Sequence, residues 1–470
     1  MSKVKLYNLY LISLCFVVLF VSCDSGKVNI EPTTSAVTKP TRSPTPTATS
    51  TPTPKATFTP IPTPTPTATP DLDTRLPEYV GGSIKGPFKN SGDTIVYRVD
   101  NTTKEQYDNY VNIIKEKGFK SVLSNRINNN LYHTFVKLDK LIHVSYIGVS
   151  SYVVIVYETL SALPDRNDEY NKKYKPLLTQ VKLDSKDMLE GMSYVFRLSD
   201  GTFFVIDGGW PEKEHSEATK LYNLLREQTN EEEIVIRGWL LTHCHSDHIG
   251  TFNDFVIQYH DQVKIRQVLY NFPPDEDIIN SDSPHMLDNH LGRYTTFKKV
   301  INTYFSKKEV VKIHSGYKFS YADAEIEILQ THEDFYPKTI REGGMNLSSV
   351  VFTVNIAGQR IIFLADATKA VNDQLVKHFG TYLKSDIMQV AHHGYSGGTV
   401  EVYQIIDAEY ILYPAPVEFY KVNLRHDHNQ YFLFESKTVK QVFTMGFGQF
   451  TLQMPYVAPE GAERIPGLLF

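Results

Sequence analysis

The sequence predicts an α/β protein in two folded parts carried on an extended tether. Three observations lead there. Prolines crowd near the N-terminus, a following stretch carries the signals of a small α+β unit, and a longer C-terminal region alternates strand-like apolar runs with helical ones. The strand-like runs of that last region end in clusters of histidine and aspartate. With 470 residues, 41% of them hydrophobic and 21% charged, the chain can bury a large core, which excludes wholesale disorder and a polytopic membrane protein. Residues 71–470 carry 42 Lys and Arg against 51 Asp and Glu. That acidic balance argues against affinity obtained by coating a nucleic-acid backbone with positive charge.

Residues 1–22 begin with Lys3 and Lys5, continue as an apolar run from Leu9 to Val21, and end on the small Ser22 before Cys23. This resembles a bacterial lipoprotein signal peptide closing in the lipobox Phe20-Val21-Ser22-Cys23. The resemblance implies cleavage before Cys23, a lipid on that residue, and a mature chain anchored to the outer side of the cell membrane. An uncleaved signal anchor is the alternative, and it too places the remainder outside the cytoplasmic membrane. Cys15, Cys23 and Cys244 offer no plausible disulfide pair.

Residues 23–76 read as a disordered Pro/Thr-rich linker, because 11 of the 25 prolines fall between Pro32 and Pro70 and almost nothing among them can anchor a core. Such chain favours extended polyproline II, so it reaches on the order of 100 Å.

Residues 77–161 read as a small α+β domain. Asp93 to Val99 alternates like a strand, Thr102 and Glu105 have capping-box spacing, and Tyr107, Tyr110, Val111 and Ile114 share one helix face ahead of Gly118. Three strand-like runs follow, Leu131 to Leu138, Leu141 to Ile147 and Tyr152 to Tyr157. His133 and His143 alternate with apolar neighbours and read as structural.

Residues 177–456 hold the chemistry. Strand-like Thr202 to Ile206 runs into Asp207-Gly208-Gly209, and a helical stretch follows from Ser216 to Glu227. Strand-like Ile234 to Leu241 then feeds directly into Thr242-His243-Cys244-His245-Ser246-Asp247-His248. After a strand, His243 and His245 project to one side while Asp247 and His248 come round on the turn into a helix, so four N and O donors converge. Imidazole nitrogens with a carboxylate suit zinc, and also manganese or iron. Cys244 is out of phase with the two histidines and reads as buried.

The His-x-His-x-Asp-His stretch and the upstream Asp207 motif resemble the metallo-β-lactamase superfamily. Within it, the motif order is most similar to the extracytoplasmic hydrolase domain of the bacterial competence DNA-uptake channel protein and its soluble relatives. The matching later motifs are Met345-Asn346-Leu347-Ser348-Ser349, Asp366 closing Ile361 to Ala365, and His392-His393-Gly394 after Ile387 to Ala391. The resemblance implies an αββα sandwich of two face-to-face sheets with helices outside. It implies two divalent metal ions, with His243 and His245 on the first, Asp247 and His248 on the second and Asp366 bridging. It makes His392 the last ligand, with His393 as the alternative. Many members carry a histidine where this chain has Asn346 or its neighbours, and His332 is a candidate for the missing nitrogen.

The implied activity is hydrolysis by a metal-activated hydroxide, with Asp247 orienting it. His393, Tyr395 and His426 or His428 are candidates for protonating the leaving group or gripping an anionic substrate. The expected substrate is a phosphodiester of the envelope, of a small molecule or of nucleic acid, and no protein partner is predicted. The alternative is a surface-binding lipoprotein with a structural or degenerate metal site.

Overall fold

The computed structural model describes residues 75–165, 169–184, 191–212, 215–281 and 284–467. The signal-like segment, Cys23 and the Pro/Thr-rich stretch lie outside the described residues. Among the described residues no helix is long and apolar enough to cross a membrane.

The N-terminal part is a six-stranded antiparallel sheet with spatial order Ser83–Lys89, Ile95–Asp100, Tyr152–Thr159, Lys140–Ile147, Asn130–Lys137 and Lys120–Ile127. One helix, Lys104–Glu116, covers one face through Tyr107, Tyr110, Val111 and Ile114. Its capping box sits one residue beyond the expected pair: Thr103 accepts from the Gln106 backbone N–H, and the Gln106 side chain accepts from the Thr103 N–H. Two strands escape the sequence pattern. Ser83–Lys89 contains Gly86-Pro87 and lies at the sheet edge, where a missing N–H is tolerated, and Lys120–Ile127 is the other, largely polar edge.

The opposite face of this sheet is not left to solvent. Along Tyr152–Thr159, Val153 and Ile155 point into the core under the helix, while Tyr152, Val154 and Val156 join the core of the C-terminal part. A strand buried on both faces loses its polar alternation, which is why Tyr152 to Tyr157 reads as a continuous apolar run.

The C-terminal part is built on two mixed sheets. The first runs in the order Val310–Lys312, Val268–Tyr270, Ile234–Leu240, Phe203–Ile206, Tyr194–Arg197, Leu177–Gln180 and Phe450–Gln453, with Val263–Ile265 paired off the path to Ile234–Leu240. The second runs Lys318–Tyr321, Ala324–Gln330, Val351–Ile356, Gln359–Phe363, Ile387–Gln389, Tyr410–Tyr413 and Gln441–Thr444. Each sheet is parallel on one side and antiparallel on the other. A shared core of Phe196, Phe204, Ile206 and Leu240 from the first and Ile326, Phe352, Phe363 and Leu412 from the second packs them face to face. On the outer faces, helices Ser216–Gln228 and Ser246–Tyr259 cover the first sheet, and Lys369–Phe379 and Val400–Ile406 cover the second. Trp239 and Leu240, adjacent on one strand, serve the outer and inner cores respectively, as the period of two requires.

A buried charged network joins the N-terminal sheet to these layers. Glu158, at the end of its strand, takes Lys312 Nζ at 3.1 Å and His314 Nε2 at 3.0 Å, and His314 Nδ1 meets Glu333 at 2.6 Å. Asn90 Nδ2 donates to the same Glu333 at 2.7 Å. An imidazole with a carboxylate at each nitrogen is doubly protonated. Burial alone would lower the His314 pKa, but Glu333 and Glu158 overcome it and push it up to about 9. His143 stacks on His314 at 5.0 Å and, buried beside it, is lowered to about 3, so it stays neutral. The neighbouring His332 is likewise lowered, to about 4, and Asp334 is raised to about 6 by burial.

Because the folded pKa of His314 lies above its ordinary 6.5, its contribution is complete below about pH 6.5 and is lost as pH rises through about 9. Stability against thermal unfolding should therefore fall by on the order of 3 kcal/mol between pH 6.5 and 9.5. His314→Gln should start lower at pH 6.5 and show a flatter alkaline limb; an unchanged slope in the variant would remove His314 as its source.

Candidate metal centre

Strand Ile234–Leu240 ends in a loop that delivers His243 and His245, and the first turn of helix Ser246–Tyr259 carries Asp247 and His248. The anchor beneath this loop is Asp207. Its carboxylate accepts the Thr242 backbone N–H at 2.8 Å and the Thr242 hydroxyl at 2.8 Å, and faces His248 Nδ1 at 2.7 Å. Asp207 itself adopts φ 49°, a left-handed conformation that a residue other than glycine holds only when its surroundings enforce it. Ala365, just before Asp366, is at φ 49°, and His392 and His393 are at 48° and 52°. Left-handed residues thus shape the loops that present Asp366 and His393 as well as the anchor beneath them.

Two groups of donors share Asp366. In the first, His243 Nε2 and His245 Nδ1 stand 3.1 Å apart, with Asp366 Oδ2 at 3.8 Å from His243. In the second, Asp366 Oδ1 lies 3.4 Å from His248 Nε2 and 3.3 Å from His393 Nε2, while Asp247 Oδ2 lies 3.7 and 3.4 Å from the same two nitrogens. His243, His248, Asp366 and His393 are buried. Asp366 Oδ1 and His248 Nε2 are buried with no hydrogen-bond partner among the described residues, although buried polar atoms are ordinarily paired. Orphaned atoms that converge, all of them nitrogen and carboxylate oxygen, are what a divalent cation requires.

The electrostatics point the same way. Burial alone would raise Asp247, but His248 and His393 hold its carboxyl far below the usual carboxylate range. Burial lowers His243, with His248 adding to it, so His243 is neutral and able to ligate. Burial would lower His248 as well, yet Asp366, Asp207 and Asp247 push it up to about 10. The protein alone therefore needs a proton where a cation would serve.

Of the two expected candidates, His393 rather than His392 stands in the second donor group. The two consecutive left-handed residues reverse the chain directly after strand Ile387–Gln389 and carry His393 inward, where Pro414 O accepts from its Nδ1 at 2.9 Å. Asn423 Nδ2 holds the His393 carbonyl at 2.9 Å and Asn429 Nδ2 holds the Gly394 carbonyl at 2.5 Å. Gly394 is required here, since a Cβ would come within 2.1 Å of the Tyr413 hydroxyl. His392 stays at the rim, its Nε2 bonded to Asn346 Nδ2 at 3.0 Å and 3.9 Å from Asp366 Oδ2.

His332 is remote from the cluster and belongs to the interdomain network, with Nε2 at 3.0 Å from Asn90 Oδ1. His426 and His428 stack on each other at 5.3 Å, and the His426 ring meets Tyr395, which in turn abuts His392. Cys244 is buried, with Sγ 3.2 Å from Met345 Sδ. Three supports had no sequence signal: Asn423 and Asn429, which lie in short helices far along the chain, and His290, whose Nδ1 accepts from the Ser246 N–H at 3.0 Å while its ring lies 4.4 Å from His245.

Metal uptake should displace the His248 proton. Titration of zinc at pH 7 in buffers of different ionisation enthalpy should report about one proton released per chain or more, with affinity rising as pH increases towards 10. Asp207→Asn should keep the fold but loosen His248, lowering affinity roughly 10–100-fold in competition with a chelator; unchanged affinity would refute the anchoring role.

A family model described as the metallo-β-lactamase superfamily matches residues 188–412. No curated protein matches the chain. Among solved structures, it is similar to the metallo-β-lactamase fold protein YhfI from Bacillus subtilis, at 12% identity and TM-score 0.35 over 59% of this chain and 99% of that one. It is similar to CmlA, a diiron β-hydroxylase from Streptomyces venezuelae, at 14% identity and TM-score 0.28 over 61% of this chain and 48% of that one. A third is MEM-A1, a subclass B3 metallo-β-lactamase from a soil metagenome library, at 14% identity and TM-score 0.27 over 49% of this chain and 82% of that one. The span matched by the model of the metallo-β-lactamase superfamily, residues 188–412, contains every donor of both buried clusters.

Proposed function

We propose that the protein is a metal-dependent hydrolase that cleaves a phosphodiester outside the cytoplasmic membrane, tethered there by a lipid on Cys23. The observation that carries the hydrolase reading is the pair of buried His/Asp groups sharing Asp366. His243, His245 and Asp366 would hold one cation; Asp247, His248, Asp366 and His393 would hold the other, zinc first among the candidates and manganese or iron next. Two bound cations supply Lewis acidity and a water acidified to near-neutral pKa.

The chain's own residues position and protect this chemistry. Asp207 fixes the His248 ring through Nδ1, and the Pro414 carbonyl fixes that of His393 through Nδ1, which leaves both Nε2 atoms directed at the carboxylates. Asp247 is the least buried carboxylate of the set, and its place beside both imidazoles suits it to orient a nucleophilic water. At the rim, His392 is part-exposed and Tyr395 exposed, and these two donors suit an anionic group. With Asn346 donating to Nε2, His392 is neutral with its proton on Nδ1, so it assists as a donor through that atom. His426, behind Tyr395, is a positioning residue in this reading.

The phosphodiester assignment is supported by the motif order and the donor rim. The acidic balance of residues 71–470 favours a small or wall-linked ester over a long nucleic acid. Hydrolysis of bis(p-nitrophenyl) phosphate by the full chain with zinc or manganese should fall about a thousandfold or more in Asp247→Asn, while the variant keeps its melting temperature. Absence of turnover on this ester and on short oligonucleotides at low salt would sink the phosphodiester reading. Turnover of a β-lactam in its place would redirect it.

A further inference from the structure

A cavity of about 350 Å³ lies between the N-terminal sheet and the C-terminal layers. It takes Ser91 to Thr94 with Glu158, Thr159 and Ser161 from the sheet side, Tyr270, Val310 and Lys312 from the neighbouring strands, and Tyr294, Phe297, Lys298, Ile301 and Asn302 from helix Pro284–Tyr304. None of its lining residues is a metal donor, and its size falls in the range of small-molecule sites, which concentrate at domain interfaces.

Its walls differ in chemistry. One is aromatic and rigid: Tyr270 meets Phe297 edge-on at 5.1 Å, Phe272 packs on Tyr270 at 4.8 Å and on Phe297 at 5.1 Å, and Tyr294 completes the group. Rings locked against each other offer apolar surface without ordering cost. The sheet side is rich in hydroxyl groups, from Ser91, Thr94, Thr159 and Ser161, and Asn302 adds an amide from the helix. Gly92, Asp93 and Asn302 are exposed at the mouth.

Charge narrows the ligand. Four charged side chains line the cavity, two of each sign, and each has an opposite partner. Glu158 pairs with Lys312 at 3.1 Å, Asp93 with Lys140 at 3.5 Å, and Lys298 with Asp275. No uncompensated charge calls for an ionic ligand. A ring with one apolar face and several hydroxyls fits both walls: its C–H face on the aromatics, its hydroxyls towards the serines, threonines and Asn302.

We propose that the cavity between the N-terminal sheet and the hydrolase layers binds a neutral saccharide unit, separately from the metal centre. The polar wall shares Glu158, Thr94 and Lys312 with the network that joins the two parts, so the site exists only while they are docked. The N-terminal sheet thereby has a binding role that its lack of catalytic residues leaves open. The inference does not require the metal centre to be catalytic.

The test uses the full chain stripped of metal with a chelator, so that hydrolysis plays no part. N-acetylglucosamine, glucose and cellobiose are titrated by saturation-transfer NMR and calorimetry, alongside glucuronic acid and tetramethylammonium. At least one neutral sugar should bind saturably, and Asn302→Trp, at an exposed helix position on the mouth, should weaken it about tenfold or more. Ser161→Trp, from the opposite wall, serves if Asn302→Trp melts early. Asp247→Asn should leave the sugar affinity unchanged. Failure of every neutral sugar to bind, binding indifferent to both tryptophans, or preference for the charged sugar or the quaternary ammonium would each overturn the proposal.

Discussion

The candidate metal centre depends on one buried carboxylate that is not among its donors. Asp207 closes the end of strand Phe203–Ile206 onto the end of strand Ile234–Leu240: its own N–H donates to Leu240 O at 2.9 Å, and its side chain takes both the backbone and the hydroxyl of Thr242. Through His248 Nδ1 the same side chain sets the ring that faces Asp366. A fully buried carboxylate resists ionisation, and burial does raise Asp207, against the pull of His248 and the Thr242 donors. Without those bonds it would be a buried, uncompensated charge. The anchor and the cluster thus stabilise each other, and neither is arranged without the other.

The second sheet contributes through the mirror of this device. Parallel strands Gln359–Phe363 and Ile387–Gln389 end side by side, and their following loops present Asp366 and His393. Gln389 ties the two loops together, with Oε1 accepting from the Ala365 N–H at 2.7 Å and Nε2 donating to Ala365 O at 3.2 Å. The two sheets meet through a dry core of aromatic and branched side chains, so the distance between the loop sets is governed by packing rather than by the charges themselves. A cluster in which five ionisable groups are buried together is tolerable only on a scaffold that holds them in place before any cation arrives.

The N-terminal sheet is attached by polar as well as apolar contacts. Besides the network around His314, Asn130 Nδ2 donates to His378 O at 3.0 Å and Asn128 Nδ2 to Phe379 O at 2.9 Å, at the end of an outer helix. Tyr132 lies over Gly316, where any side chain would collide with its ring. Buried ion pairs give modest net stability but strongly disfavour arrangements that leave one member unpaired, so they select a single docking.

The sequence by itself determined what is local. The donors His243, His245, Asp247 and His248 fall within six residues, so strand and helix periodicity is enough to make them converge, and the helix Lys104–Glu116 is legible from its apolar face, with its cap displaced by one residue between neighbouring candidates. Asp366 was legible only through its likeness to a family motif, because 118 residues separate it from His248. Tertiary structure alone decided between His392 and His393, since adjacent residues have identical sequence surroundings and only the left-handed turn selects which ring faces inward. It alone placed His332 with Asn90 in the interdomain network, away from the donors, and brought Glu158, Lys312, His314 and Glu333 together. Periodicity reports which face a side chain takes on its own element; which elements those faces meet is settled by the packing of the whole chain, where a buried charge must find its partner however distant in sequence.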